Sequence, residues 1–288
     1  MPAARPSAAG ASVVEQARAG FGAVPRTKAA AQAQGRQLAE LARRDLDLGS
    51  DALGDLATLM EQHFAVDVAL SPMGTDVDGL CIHCGNSALI MASSDFPDGH
   101  LRFTLAHELG HHLLADPRVI IEEAEHDMFG DNGAEWRVNA FAAHLLMPER
   151  GIRSVLDWLA EDSGAVSERA VVALMEHFGV SMAALVYQLN VIGAMSYDEG
   201  QRIRDRNSVR ALVSRHREVA PTGAACTTHR VRRAPERLIR HALDAVRSQR
   251  LGLSVVSALL EVEDDERLWN DLVGDEAAPR GATDDIAL

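Results

Sequence analysis

An α+β fold, predominantly helical, with a small antiparallel sheet and a helical C-terminal region, is what this sequence predicts, on three observations. Aromatic residues make up only 4% of the chain, so a core must be built mainly from Leu, Val and Ala, which favours helices over a β-sandwich. Helical periodicity recurs along most of the length, while one window near the first quarter alternates with period two. The 47% apolar and 24% charged content of the 288 residues is that of a chain with a real core, which excludes a fibre or a wholly disordered polypeptide.

Taken in order, residues 1–26 carry Ala, Pro, Gly and Ser without lasting periodicity and read as a flexible leader. Good helix formers follow over 27–46, with Leu38, Leu41 and Ala42 at helical spacing, and a second helix is expected over 50–63 with Ser50 as N-cap. Period-two alternation over 64–70 and short extended runs at 80–83 and 88–91, joined by turn residues at 84–87, predict the sheet. Helices are then expected over 99–115, 134–147 with Pro148 as the stop, 151–160, 167–178 and 181–192, with an acidic loop over 116–133. The organisation that results is a mixed helix-and-sheet domain over 27–195 and a helical region over 196–273. Within that region helices are expected at 197–218, 235–249, 254–260 and 265–272 and a loop at 220–228, and a disordered acidic tail is expected over 274–288.

No stretch approaches the roughly 18–20 uninterrupted apolar residues of a membrane span, so no membrane partner is expected. Three cysteines, an odd number, fit a reducing compartment, and the cytoplasm is the expected location. The net charge of −14 is segmented. Residues 49–148 hold three arginines against sixteen acids, 201–250 thirteen arginines against four acids, and 251–288 two arginines against ten. The basic block from Arg202 to Arg250 can contact DNA weakly through its phosphates, or neutralise the acidic segments of its own chain or of a partner.

The stretch that carries chemistry is Arg102-Phe-Thr-Leu-Ala-His-Glu-Leu-Gly-His-His-Leu113. On a helix His107 and His111 lie four apart on one face, so both imidazoles can converge on one zinc ion, while Glu108 beside them reaches the open coordination position. That is the chemistry of a metallopeptidase, in which a carboxylate takes the proton of the attacking water. Leu105, Leu109 and Leu113 form the stripe that buries the helix, and Gly110 leaves room for a neighbouring element. A third ligand is sought on the next helix, where Glu135 stands one turn before Asn139. Glu122, Glu123, Glu125, His126 and Asp127 in the acidic loop are its rivals. His112 and His144 fall off the presumed metal-facing sides, and His112 and Asn139 are the candidates for supporting the ligands.

This paired pattern, Arg-Phe-Thr-Leu-Ala-His-Glu-Leu-Gly-His followed by Glu-x-x-x-Asn-x-Phe-Ala-x-x-Leu-Leu-Met-Pro, resembles the ImmA/IrrE family of bacterial metallopeptidases over residues 53–192. The resemblance implies a zincin-like fold with one zinc per chain, His107, His111 and Glu135 as ligands and Glu108 as general base. It further implies a cytosolic regulator, often of stress responses, whose substrate is a transcriptional repressor. The alternative is a transcriptional regulator that binds DNA or a repressor and whose zinc site is structural or vestigial. Two departures stand out: Arg137 occupies a position where the family often has a second acid, and residues 1–48 show no DNA-binding helix-turn-helix.

Two weaker signals remain. Cys81-Ile-His-Cys84 at the expected hairpin turn and Cys226-Thr-Thr-His229 together can form a structural metal site, or Cys81 and Cys84 a redox pair. The helix at 181–192 can serve as a recognition helix, although Met182, Leu185, Val186 and Leu189 give it a broad apolar face suited to a core. Nothing in the sequence places Tyr187 or Tyr197 over the metal as an oxyanion stabiliser.

Overall fold

A computed structural model describes residues 7–74, 76–84, 87–115, 121–123, 133–160, 166–206, 208–216 and 232–260. The chain divides into two compact units, 1–231 and 232–288.

The first unit opens on helices α1 (Ala8–Gly20), α2 (Lys28–Asp45) and α3 (Leu56–His63). Residues 8–20 were expected within the leader, yet Ser7 caps them by accepting from the Gly10 amide, and Val13 and Ala17 are fully buried. Small residues do not mark disorder here: they allow a close crossing, since a side chain at Gly10 would overlap the His63 backbone. Helix α3 begins later than expected because Asp55, not Ser50, caps it.

Four strands follow in the order β1-β3-β2-β4: β1 (Val66–Ser71), β2 (Val77–Cys84), β3 (Ser87–Ser93) and β4 (Ile121–Glu123). The sheet is mixed, not antiparallel as expected. β3 runs parallel to β1, pairing Val66 with Ala88, and β2 is antiparallel to both β3 and β4. Period-two patterning assigns residues to faces but says nothing of which strand lies alongside, so it could not reveal that β3 inserts between β1 and β2. β4 lies inside the segment read as a loop, being only three residues long.

Helices α4 (Asp98–Leu113), α5 (Gly133–Leu146), α6 (Glu149–Trp158), α7 (Glu168–Phe178) and α8 (Met182–Val191) fall within two residues of their expected bounds. Leu105, Leu109 and Leu113 of α4 are fully buried in one continuous core with Val138 and Phe141 of α5. The glycine at 110 does what its size permits, because an added Cβ would sit 3.0 Å from Phe141 Cδ1. Helix α8 buries Met182, Leu185, Val186, Gln188 and Leu189 against α5 and α7, which is core packing rather than the surface of a recognition helix.

The expected helix over 197–218 is two, α9 (Tyr197–Arg206) and α10 (Val209–His216), packed on α8 and α7 respectively, so the first unit continues past the boundary expected at 195. The second unit contains α11 (Glu236–Arg247) and α12 (Ser254–Leu260), joined by a small core of Ala242, Val246 and Val256. The basic block of 201–250 is thus divided between the two units. The expected loop at 220–228, helix at 265–272 and tail at 274–288 lie outside the described residues. No single helix among the described residues is long and apolar enough to cross a membrane.

Candidate metal centre

Helices α4 and α5 pack directly against each other and bring three donors together in the core. Helical spacing puts His107 and His111 on one face of α4, with their Nε2 atoms 3.0 Å apart. Glu135, in the first turn of α5, places Oε2 3.4 Å from His107 Nε2 and Oε1 3.7 Å from His111 Nε2. Two donor atoms about 2.0–2.1 Å from a shared tetrahedral ion stand roughly 3.3 Å apart, so the three separations bracket what one zinc ion needs. The donor set, two imidazoles and a carboxylate, suits zinc chemically and leaves a fourth position for water or substrate.

The surroundings orient these donors. His107 Nδ1 donates to Asn139 Oδ1 at 2.9 Å, which turns the Nε2 lone pair toward the cluster. Asn139 lies one turn beyond Glu135 and is fully buried, so α5 supplies both a donor and the group that aims another. Glu108 is fully buried as well, on the side of α4 that meets β2. There Gly79 allows the strand to pass close: a Cβ would lie 2.6 Å from Thr104 Cγ2 and 3.4 Å from Glu108 Cγ.

Two arginines buttress the site. Arg102 reaches from α4 to the carbonyls of Leu53 and Gly54 at 2.8 Å each, fixing the lead-in to α3. Arg137, at the position where the resemblance leads one to expect an acid, donates to the Phe21 carbonyl at 2.7 Å and so ties α5 to the end of α1. A third, Arg43, was not singled out in the sequence. Its guanidinium binds the carbonyls of Leu145, Gly49 and Asp51, and burial lowers its pKa to about 10.

His112, expected to support the ligands, does not touch them; a residue next to His111 is rotated about 100° around the helix and faces β2 instead. Its Nε2 donates to the Phe64 carbonyl at 3.1 Å, and its Nδ1 lies 3.1 Å from His83 Nε2, the two rings stacking. A nitrogen of each histidine and Cys81 Sγ all fall within 4.8 Å of one another. Burial pushes the Cys81 thiol up to about 12, with the Glu108 charge adding to it, and burial with the repulsion of His83 and Arg18 lowers His112 to about 4. The expected pairing of Cys81 with Cys84 assumed a turn, but the strand runs on to Cys84, and in a strand it is the residue two along, His83, that shares a face with Cys81. The Cys84 side chain, Cys226 and His229 lie outside the described residues, as do the side chains of Glu122 and Glu123 and all of Glu125, His126 and Asp127. His144 is buried in a third setting, accepting at Nδ1 from Gln188 Nε2 at 3.1 Å.

Sequence reasoning therefore found every member of the first cluster and missed His83. The signal was available as Cys-x-His at strand spacing, overlooked in favour of the better known Cys-x-x-Cys.

No curated protein matches the chain. A family model, Peptidase_M78, described as the IrrE N-terminal-like domain, matches residues 61–190, a span that runs from α3 to α8 and contains both clusters. Residues 61–190 of this chain therefore match the IrrE N-terminal-like domain, which supports membership of the ImmA/IrrE family.

Proposed function

We propose that the chain is a zinc-dependent endopeptidase that hydrolyses a peptide bond in a regulatory protein, a transcriptional repressor, in the cytoplasm. The observation that carries this reading is the convergence of His107, His111 and Glu135 at 3.0–3.7 Å with Glu108 buried beside them. His107, His111 and Glu135 would hold one zinc ion, which when bound would supply Lewis acidity toward the scissile carbonyl and acidify water.

Glu108 acts as the general base and then the general acid. Its carboxylate takes a proton from the attacking water and returns it to the amide nitrogen that leaves, so that the C–N bond breaks to an amine and a carboxylate. Asn139 holds His107 in the tautomer whose Nε2 is a donor to the metal. Burial of all three donors keeps bulk water from competing for the site and strengthens each electrostatic interaction within it. The regulatory substrate and the cytoplasmic setting rest on the family resemblance, with the cysteine count in support of the latter.

The test is zinc content of the purified chain, set beside that of His107→Ala, followed by incubation with candidate repressors. The expected result is that one zinc equivalent is lost in His107→Ala and that a repressor is cut by the wild type but not by Glu108→Gln. No change in zinc content in His107→Ala would overturn the ligand assignment. Repressor binding without a cut would favour sequestration over hydrolysis.

A further inference from the structure

We propose that Cys81, His83 and His112 form a second metal site, for zinc or another thiophilic divalent ion, where α4 faces β2. It does not rest on the peptidase reading, since it shares no ligand with the His107, His111 and Glu135 cluster.

Three features point to a ligand site rather than a chance meeting of side chains. The first is convergence: Cys81 Sγ and a nitrogen from each of two imidazoles lie within 4.8 Å of one another, on two elements, β2 and α4, held together by the core. The second is orientation. His112 spends its Nε2 proton on the Phe64 carbonyl at 3.1 Å, leaving the Nδ1 lone pair aimed into the cluster, and a backbone carbonyl behind an imidazole is the usual way in which a metal-binding histidine is fixed. The third is access. Cys81 and His112 are buried, whereas His83 is exposed, so an ion can enter from the His83 side and keep a solvent molecule as its fourth ligand.

Charge decides the class of ion. A thiolate supplies the compensating negative charge, and a thiolate with two imidazoles is a borderline-soft set that selects zinc over magnesium or calcium. On binding, the Cys81 thiol gives its proton to solvent as the sulfur–metal bond forms.

Cobalt(II) titration of the full chain tests this, because only a thiolate ligand gives an intense sulfur-to-cobalt charge-transfer band and the first cluster has none. The expected result is a second cobalt equivalent carrying that band, abolished in Cys81→Ser and bound at least about tenfold more weakly in His83→Ala. His83 is exposed, so this second variant tests the site without disturbing the core. The band should persist in His107→Ala, which separates this site from the first, and in a Cys84→Ser, Cys226→Ser double variant. Absence of the band in the wild type, its survival in Cys81→Ser, or its loss in the double variant would overturn the proposal.

Discussion

His111 and His112 are neighbours in sequence and end in different chemistry. The first joins His107 and Glu135 in a cluster made wholly by α4 and α5, while the second turns toward β2 to meet Cys81 and His83. The difference teaches that a helix distributes donors by angle: positions four apart cooperate and positions one apart are separated. One cluster depends on a helix pair and is buried throughout, the other on a helix and a strand with an open edge.

The largest expected effect isolates the first cluster. Glu108→Gln keeps the volume of the side chain and removes its basicity, and should lower turnover by about 10²–10⁴-fold with both metal equivalents retained. Single-turnover cleavage together with metal analysis checks this, and a mutant as active as the wild type would remove Glu108 from the mechanism. Next in size is Asn139→Ala, which frees His107 to rotate. Zinc affinity at the first cluster should fall by about 10–100-fold, with the cobalt–thiolate band of the second unchanged. Competition with a chelator measures the affinity, and equal weakening of both sites would show that Asn139 acts on the whole fold rather than on His107.

A matched pair of glycine substitutions sharpens the contrast further. Gly79→Ala would wedge β2 away from Thr104 on α4, and Gly110→Ala would wedge α5 away from α4 at Phe141 and Val138. Each should cost about 1–3 kcal/mol of stability by overpacking. Their metal phenotypes should differ: the first weakens the Cys81 cluster more, the second the Glu135 cluster. Denaturant unfolding and the cobalt titration together report both, and identical phenotypes would mean that the two interfaces yield as one.

Much of this was legible in the sequence, for reasons that differ from residue to residue. The helices α4 to α8 declared themselves through long apolar stripes and a firm stop at Pro148; the structure adds Gly179, which caps α7 at φ 63°. His107, Glu108 and His111 were set by spacing within one helix, whereas Glu135 had rivals in the acidic loop and was singled out by the family resemblance, with Asn139 one turn beyond it. What escaped was whatever depended on contacts between distant segments. β4 is too short to show a period, α1 hid among small residues because its partner α3 lies some forty positions on, and His83, although spaced from Cys81 as two strand residues on one face are, meets its third partner His112 only when β2 is laid against α4. The buried Arg43 and Arg102 were equally silent, since their partners are backbone carbonyls and carry no side-chain signature.

A third buried histidine belongs to neither cluster and so serves as their control. His144 accepts from Gln188 at Nδ1, and burial lowers its pKa to about 4 against an ordinary value near 6.5. Between those values the unfolded chain binds a proton at this residue and the folded chain does not, so stability falls as pH drops from about 6.5 toward 4 and levels off below. The loss from this residue should reach about 3 kcal/mol at most. In His144→Gln that share of the slope should vanish while both metal equivalents remain at neutral pH. Urea unfolding of the two proteins between pH 4 and 7 measures it, and parallel curves would show that the acid sensitivity of the fold resides in the histidines of the clusters instead.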